Sequence, residues 1–150
     1  MRGFTLIEIL IVLAIVGVIA GIGVARLSAF RDRASLTDFS SNVVGLFAEA
    51  RARTLSSEGD SVYGVHVEAS RAALFKGSTF VDGSADQITL SAPVGISISP
   101  ISLSGGVSDV VFSRLTGEAS AYGTFTVRVT NDASASTTIT ITATGVVANE

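Results

Sequence analysis

The chain has 150 residues, a net charge of −3, no cysteine and only 15% charged residues. Without cysteine, disulfides, thiolate metal sites and cysteine nucleophiles are excluded. The acidic balance, with the single lysine Lys76 among dispersed arginines, supplies no basic field for nucleic acid.

The chain opens on a nearly unbroken apolar run, Met1 to Arg26, in which Glu8 is the only charge between Phe4 and Ala25. As a helix, Phe4 to Ala25 reaches across roughly one hydrocarbon core of about 30 Å. Arg2 provides the positive flank expected on the cytoplasmic side. A carboxylate inside such a segment is expensive, so Glu8 marks a functional site by default. The plain alternative is a secretory signal peptide, for which Gly23-Val24-Ala25 offers a small-x-small cleavage site. Against it stand the embedded acid and the lack of any helix breaker between this region and the next. Gly17 and Gly21 form a small-xxx-small pair suited to close helix packing, although glycine is common in membrane helices generally.

Beyond Arg26 the pattern becomes one-sided. Leu36, Phe39, Val43, Leu46 or Phe47, and Ala50 recur at spacings of three and four, the stripe of an amphipathic helix. Arg31, Asp32, Arg33, Asp38, Glu49, Arg51 and Arg53 lie largely off it, and Glu49 and Arg53 form a favourable i,i+4 pair. No proline precedes Pro93. The spacing therefore predicts one continuous helix from Phe4 to about Leu55, near 75–80 Å long. Its first half is apolar all round, for a membrane, and its second half packs on a globular domain. A coiled coil is disfavoured by the short stripe and irregular charges.

Residues Ser56 to Ser61 form a turn-rich linker. Strand-like runs follow at 62–68, 72–76, 87–91, 94–99, 109–113, 124–130 and 137–143, with Gly145-Val146-Val147 closing the pattern. Phe125, Val127 and Val129 alternate with polar partners, as do Ile139 and Ile141. Such alternation predicts antiparallel sheet with one buried face, for which the striped helix is the cover. The expected fold class is α+β, a long N-terminal helix packed on an antiparallel β-sheet.

The run Gly3-Phe4-Thr5-Leu6-Ile7-Glu8, followed by a long apolar helix, resembles the class III signal of type IV pilins and type II secretion pseudopilins. Ala48 to Arg53, Tyr63-Gly64-Val65, Val110-Val111-Phe112 with Thr116-Gly117, and Ile139-Thr140-Ile141 with Thr144-Gly145-Val146-Val147 are similar to the H-type minor pseudopilins and their pilus-associated relatives. The resemblance implies residues 1–3 as leader, 4–25 as transmembrane helix half, 26–56 as amphipathic half and 57–150 as β head. It implies cleavage by prepilin peptidase between Gly3 and Phe4, methylation of the Phe4 amine, and assembly with other pilin or pseudopilin subunits. Assembly would proceed on an ATPase-driven inner-membrane platform, with the head outside the cytoplasm. The helix-kinking proline that many pilins carry is replaced here by Ala25, and Gly17, Gly21 and Gly23 would permit local melting instead. The leader is minimal, with one basic residue.

Glu8 lies one turn after Phe4, where the helix dipole favours a carboxylate. After cleavage the Phe4 amine is cationic in the same layer. A carboxylate in low dielectric requires such a partner, so Glu8 of one subunit would neutralise the amine of a neighbour and set the stacking register.

Catalytic and ligand readings fare worse. His66, the only histidine, falls on the strand face opposite Val65 and Val67 and reads as solvated. No Gly-x-Ser-x-Gly elbow is present, and a zinc site needs more histidines or cysteines. Asp82 to Asp86 and Asn131-Asp132 are oxygen-rich turns without EF-hand spacing. Neither a cofactor nor a metal is implied, and the chain reads as the substrate of an enzyme rather than an enzyme. The leading expectation is a minor pseudopilin or pilin-like filament subunit, in type II secretion or a type IV pilus. Its rivals are a major pilin, a minor pilin for DNA uptake or surface binding, and a secreted β-domain. Arg71, Lys76, Arg114 and Arg128 are too dispersed to form a nucleic-acid patch.

Overall fold

The computed structural model describes residues 3–150, apart from the side chains of residues 22–29. The leader residues Met1 and Arg2, and the readings placed on Gly23, Ala25 and Arg26, lie outside the described residues. One helix, α1 (Leu6–Leu55), precedes eight strands: β1 (Tyr63–Glu68), β2 (Arg71–Lys76), β3 (Ile88–Ser91), β4 (Ile96–Leu103), β5 (Asp109–Val111), β6 (Gly123–Val129), β7 (Asp132–Ile141) and β8 (Val147–Asn149).

The helix starts at Leu6 rather than at Phe4 because Thr5 caps it. Thr5 has extended backbone (φ −83°, ψ 153°), and its hydroxyl accepts from the Glu8 N–H at 3.4 Å. At the other end the Ser56 N–H bonds the Ala52 carbonyl, and Ser57 turns the chain at a φ of 55°. Thr54, fully buried, ties this end to the head: its hydroxyl donates to the Ala50 carbonyl and accepts from the Tyr63 N–H at 2.8 Å.

The anticipated stripe is the buried one. Leu36, Phe39, Val43, Leu46, Phe47 and Ala50 are buried, while residues 30–34 before them are exposed. Glu49 and Arg53 make their ion pair at 2.6 Å.

The single sheet expected from the alternation divides into two four-stranded antiparallel sheets, ordered β3-β2-β1-β5 and β4-β6-β7-β8. Geometry explains the split. Eight strands side by side would span about 38 Å at about 4.8 Å each, whereas a helix is about 10–12 Å across. Two sheets angled around one stripe let both inner faces reach it. Val65, Val67, Leu74 and Val110 of the first sheet join Ile98, Phe125, Val127, Ile139 and Ile141 of the second in a single core with α1. Phe47 is its hub, edge-on to Phe112 (centroids 6.5 Å, 85°) and tilted against Phe125 (5.9 Å, 30°). Among the described residues, Ser40 is the one buried side chain whose hydroxyl has no partner.

Strand limits shift where local pattern is silent. β4 continues to Leu103, past a register shift between Ile98 and Ile101 that accommodates Pro100. β7 begins at Asp132 rather than 137, because its polar first half pairs with β6 through the hairpin. β5 stops at Val111, since Phe112 leaves the ladder to bridge Ala119. β8 is placed at Val147–Asn149, after the turn.

Candidate functional site

The segment singled out by sequence lies at the free end of α1. Gly3, Phe4 and Thr5 precede the helix, and Glu8 is the acidic residue of its first turn. Thr5 and Glu8 have the spacing of a capping box, Thr-x-x-Glu, in which the residue at the third helical position completes the cap. This local signal is present in the sequence, and the Glu8 N–H is the donor that the Thr5 hydroxyl satisfies.

The apolar side chains beyond it have nothing to pack on. Phe4 is 80% exposed, Leu6 77% and Ile19 66%, and exposure is spread over all sides of the helix as far as Gly21. Gly17 and Gly21 lie one turn apart, and a methyl group added at either would meet no atom within 4 Å. A bare apolar cylinder of this kind is stable only when lipid or other helices cover it. Among the described residues no helix is long and apolar enough to cross a membrane. The described side chains of the apolar run stop at Gly21, four residues short of Ala25.

Residues 1–24 match the family model described as the prokaryotic N-terminal methylation motif. No curated protein sequence matches the chain. Two crystal forms of the type IV minor pilin FimU of Pseudomonas aeruginosa share its fold. One has a TM-score of 0.60 at 13% identity, covering 81% of this chain and 92% of that one. The other has a TM-score of 0.57 at 12% identity, covering 77% and 92%. The motif at one end and the fold over the rest coincide in a single chain. The chain therefore carries a prokaryotic N-terminal methylation motif and a fold similar to that of a type IV minor pilin.

The head carries two further clusters. In the first, His66 is not solvated as its strand position suggests: its side chain is 17% exposed and stacked on Phe80 at 4.1 Å and 3°. Its Nδ1 lies 2.5 Å from an Asp109 oxygen, and its Nε2 lies 3.7 Å from Glu68. The segment between β2 and β3 brings Phe80 there and is clamped by Arg71, which donates to both oxygens of Asp82 (2.9 and 3.0 Å) and to Glu68 (2.6 Å). Arg71 holds the Glu68 and Asp82 carboxyls below the usual carboxylate range, chiefly through these hydrogen bonds. Arg114 does the same for Asp60. Beside this cluster runs an open groove of about 840 Å³, lined by His66, Asp109, Val107, Val111, Gly105 and the serines 78, 104, 108 and 120.

The second cluster gathers the helix-end and turn segments quoted above. The Arg51 Nε donates to the Gly117 carbonyl at 3.0 Å. Gly145 lies directly against it: a methyl there would sit 2.0 Å from the Gly117 oxygen and 3.1 Å from the Arg51 Nε. Two glycine turns, distant in sequence, thus close around one arginine of the helix. Alternation and helical periodicity do not reveal this contact.

Proposed function

We propose that this chain is a minor pilin or pseudopilin, a structural subunit of a membrane-anchored filament serving type II secretion or type IV pilus assembly. The observation that carries the reading is one helix with two environments. Its second half is buried in the head from Leu36 onward, and its first half presents bare apolar side chains behind the methylation motif. An isolated soluble protein has no use for that first half. A subunit that waits in a bilayer and then packs helix against helix uses every side of it.

In this reading residues 1–3 are the leader, 4–25 the membrane half, 26–56 the amphipathic half and 57–150 the head. Prepilin peptidase cuts between Gly3 and Phe4, and the Phe4 amine is methylated. Glu8 then pairs with the Phe4 amine of a neighbouring subunit, so that a misaligned subunit leaves a charge unpaired in low dielectric. Gly17, Gly21 and Gly23 serve close packing or local melting as the helix enters the filament. The chain has no catalytic role here. The finer reading as an H-type minor pseudopilin rests on the sequence segments quoted above, of which the turns at Gly117 and Gly145 meet at Arg51. The other partners are an inner-membrane assembly platform and neighbouring subunits.

N-terminal sequencing and mass measurement of the protein matured in a bacterium with prepilin peptidase tests the reading. A methylated start at Phe4 is expected; a start at Arg26 would make the head an ordinary secreted domain.

A further inference from the structure

Three arginines of the head are half-buried: Arg51, Arg53 and Arg71. Arg53 has Glu49 and Glu58 beside it, and Arg71 has Glu68 and Asp82. Arg51 has no carboxylate within 4 Å among the described residues. Its Nε is fixed by the Gly117 carbonyl, and the glycine turns at 117 and 145 hold the guanidinium in place. A positioned, partly desolvated guanidinium lacking its anion is matched to a carboxylate, which it can take through two donors at once.

This arginine stands at the wall of a cavity of about 270 Å³ whose other walls are apolar: Ala48, Ala52, Leu55, Val146 and Val147. Such a volume lies just below that of drug-sized ligand sites and suits a single residue. The cavity also opens beside a free sheet edge. β8 is the last strand of its sheet, and its inward-bonded residues are Val146, Ala148 and Glu150, opposite Thr142, Thr140 and Thr138. By the alternation of an antiparallel ladder, the N–H and C=O groups of Val147 and Asn149 point outward. The β7–β8 register and the turn and loop bonds give neither backbone N–H a partner among the described residues. An unpaired edge is a template for one more strand.

These features share one complementary occupant. We propose that the cavity is a docking site for the C-terminal residue of a partner polypeptide. The terminal carboxylate sits on Arg51, the last side chain fills the apolar cavity, and the preceding backbone extends along β8. A polypeptide end supplies all three, whereas a small carboxylate leaves the β8 edge unused and an internal loop lacks the carboxylate.

The test uses the full chain, ¹⁵N-labelled in detergent micelles, and two synthetic peptides, Gly-Thr-Val-Thr-Phe with a free carboxylate and the same sequence as its amide. The acid is expected to bind saturably, to shift the Val147 and Asn149 amide resonances, and to bind at least about tenfold more tightly than the amide. Arg51→Gln is expected to erase the difference between the two. Ala52→Phe changes an exposed helix residue that lines the cavity and leaves Arg51 unsubstituted. It is expected to abolish binding while leaving the fold intact, which separates lost docking from lost structure. Equal binding of acid and amide, shifts that bypass residues 145–149, unchanged binding to Ala52→Phe, or no saturation up to about 1 mM acid would overturn the proposal. Benzoate binding as tightly as the peptide acid would also overturn it, by showing a site for small carboxylates alone.

Discussion

The closure of two glycine turns around Arg51 can be measured by a pair of alanine substitutions. Gly145 and Gly83 both have a φ of +78°, so alanine meets the same left-handed backbone penalty at either position. That penalty is about 1–2 kcal/mol, offset in part by the about 0.4–1 kcal/mol gained when the unfolded chain is stiffened. Beyond Gly83 there is open space, and Gly83→Ala should cost about 1 kcal/mol. At Gly145 the new carbon would lie 2.0 Å from the Gly117 oxygen, a backbone atom that cannot swing aside. That is more than about 1 Å short of normal contact, so one turn must move. Moving it breaks the 3.0 Å bond from Arg51 to Gly117, a hydrogen bond from a charged donor worth about 1.5–3 kcal/mol. Gly145→Ala should therefore cost about 3–5 kcal/mol in all. Urea unfolding of the full chain in mild detergent reads both variants. The chain has no tryptophan, and near-ultraviolet dichroism of the buried Tyr63 reports the head. If the two variants lose the same stability, the close approach of the turns has no energetic weight and the reasoning fails.

Phe47→Ala should cost about 3–5 kcal/mol, because Phe47 is fully buried and touches aromatic rings of both β5-side and β6 segments; a loss under about 1 kcal/mol in the same unfolding assay would show that it is not the hub. Ser40→Ala should be neutral or slightly stabilising, since the buried hydroxyl forfeits water without gaining a partner; a clear destabilisation would reveal a bond to it. The carboxyls of Glu68 and Asp82 are lowered by Arg71, so their contribution is present above the ordinary carboxylate range and is lost as pH falls through their lowered folded values. Protease sensitivity of the segment between β2 and β3 should accordingly rise on acidification, and Arg71→Met should make it high already at neutral pH. Glu8→Ala should leave cleavage after Gly3 largely intact and impair assembly. Incorporation of that variant into filaments at the normal level, quantified by immunoblot of sheared filaments, would remove the charge-pairing role.

Much of the architecture was legible because it is written in short-range periodicity. The buried stripe from Leu36 to Ala50 follows from spacings of three and four, and the inward faces of β6 and β7 follow from alternation at Phe125, Val127, Val129, Ile139 and Ile141. The Thr5 cap was also readable, as Thr-x-x-Glu with Glu8 at the third helical position. His66 was misplaced for a different reason. Strand alternation tells which face a residue takes, but not whether a distant segment covers that face, and here Phe80 does.

Sequence by itself determined the N-terminal signal, the long helix with its two environments, and the antiparallel character of the head. Each depends on residues within a few positions of one another, where backbone geometry converts order directly into a face. Only the tertiary structure decided that the strands form two sheets, that Asp109 meets His66 across 43 positions, and that Gly117 meets Arg51 across 66. Those contacts are products of packing. Which turn closes on which arginine depends on how two sheets settle around one helix, and no local spacing carries that information.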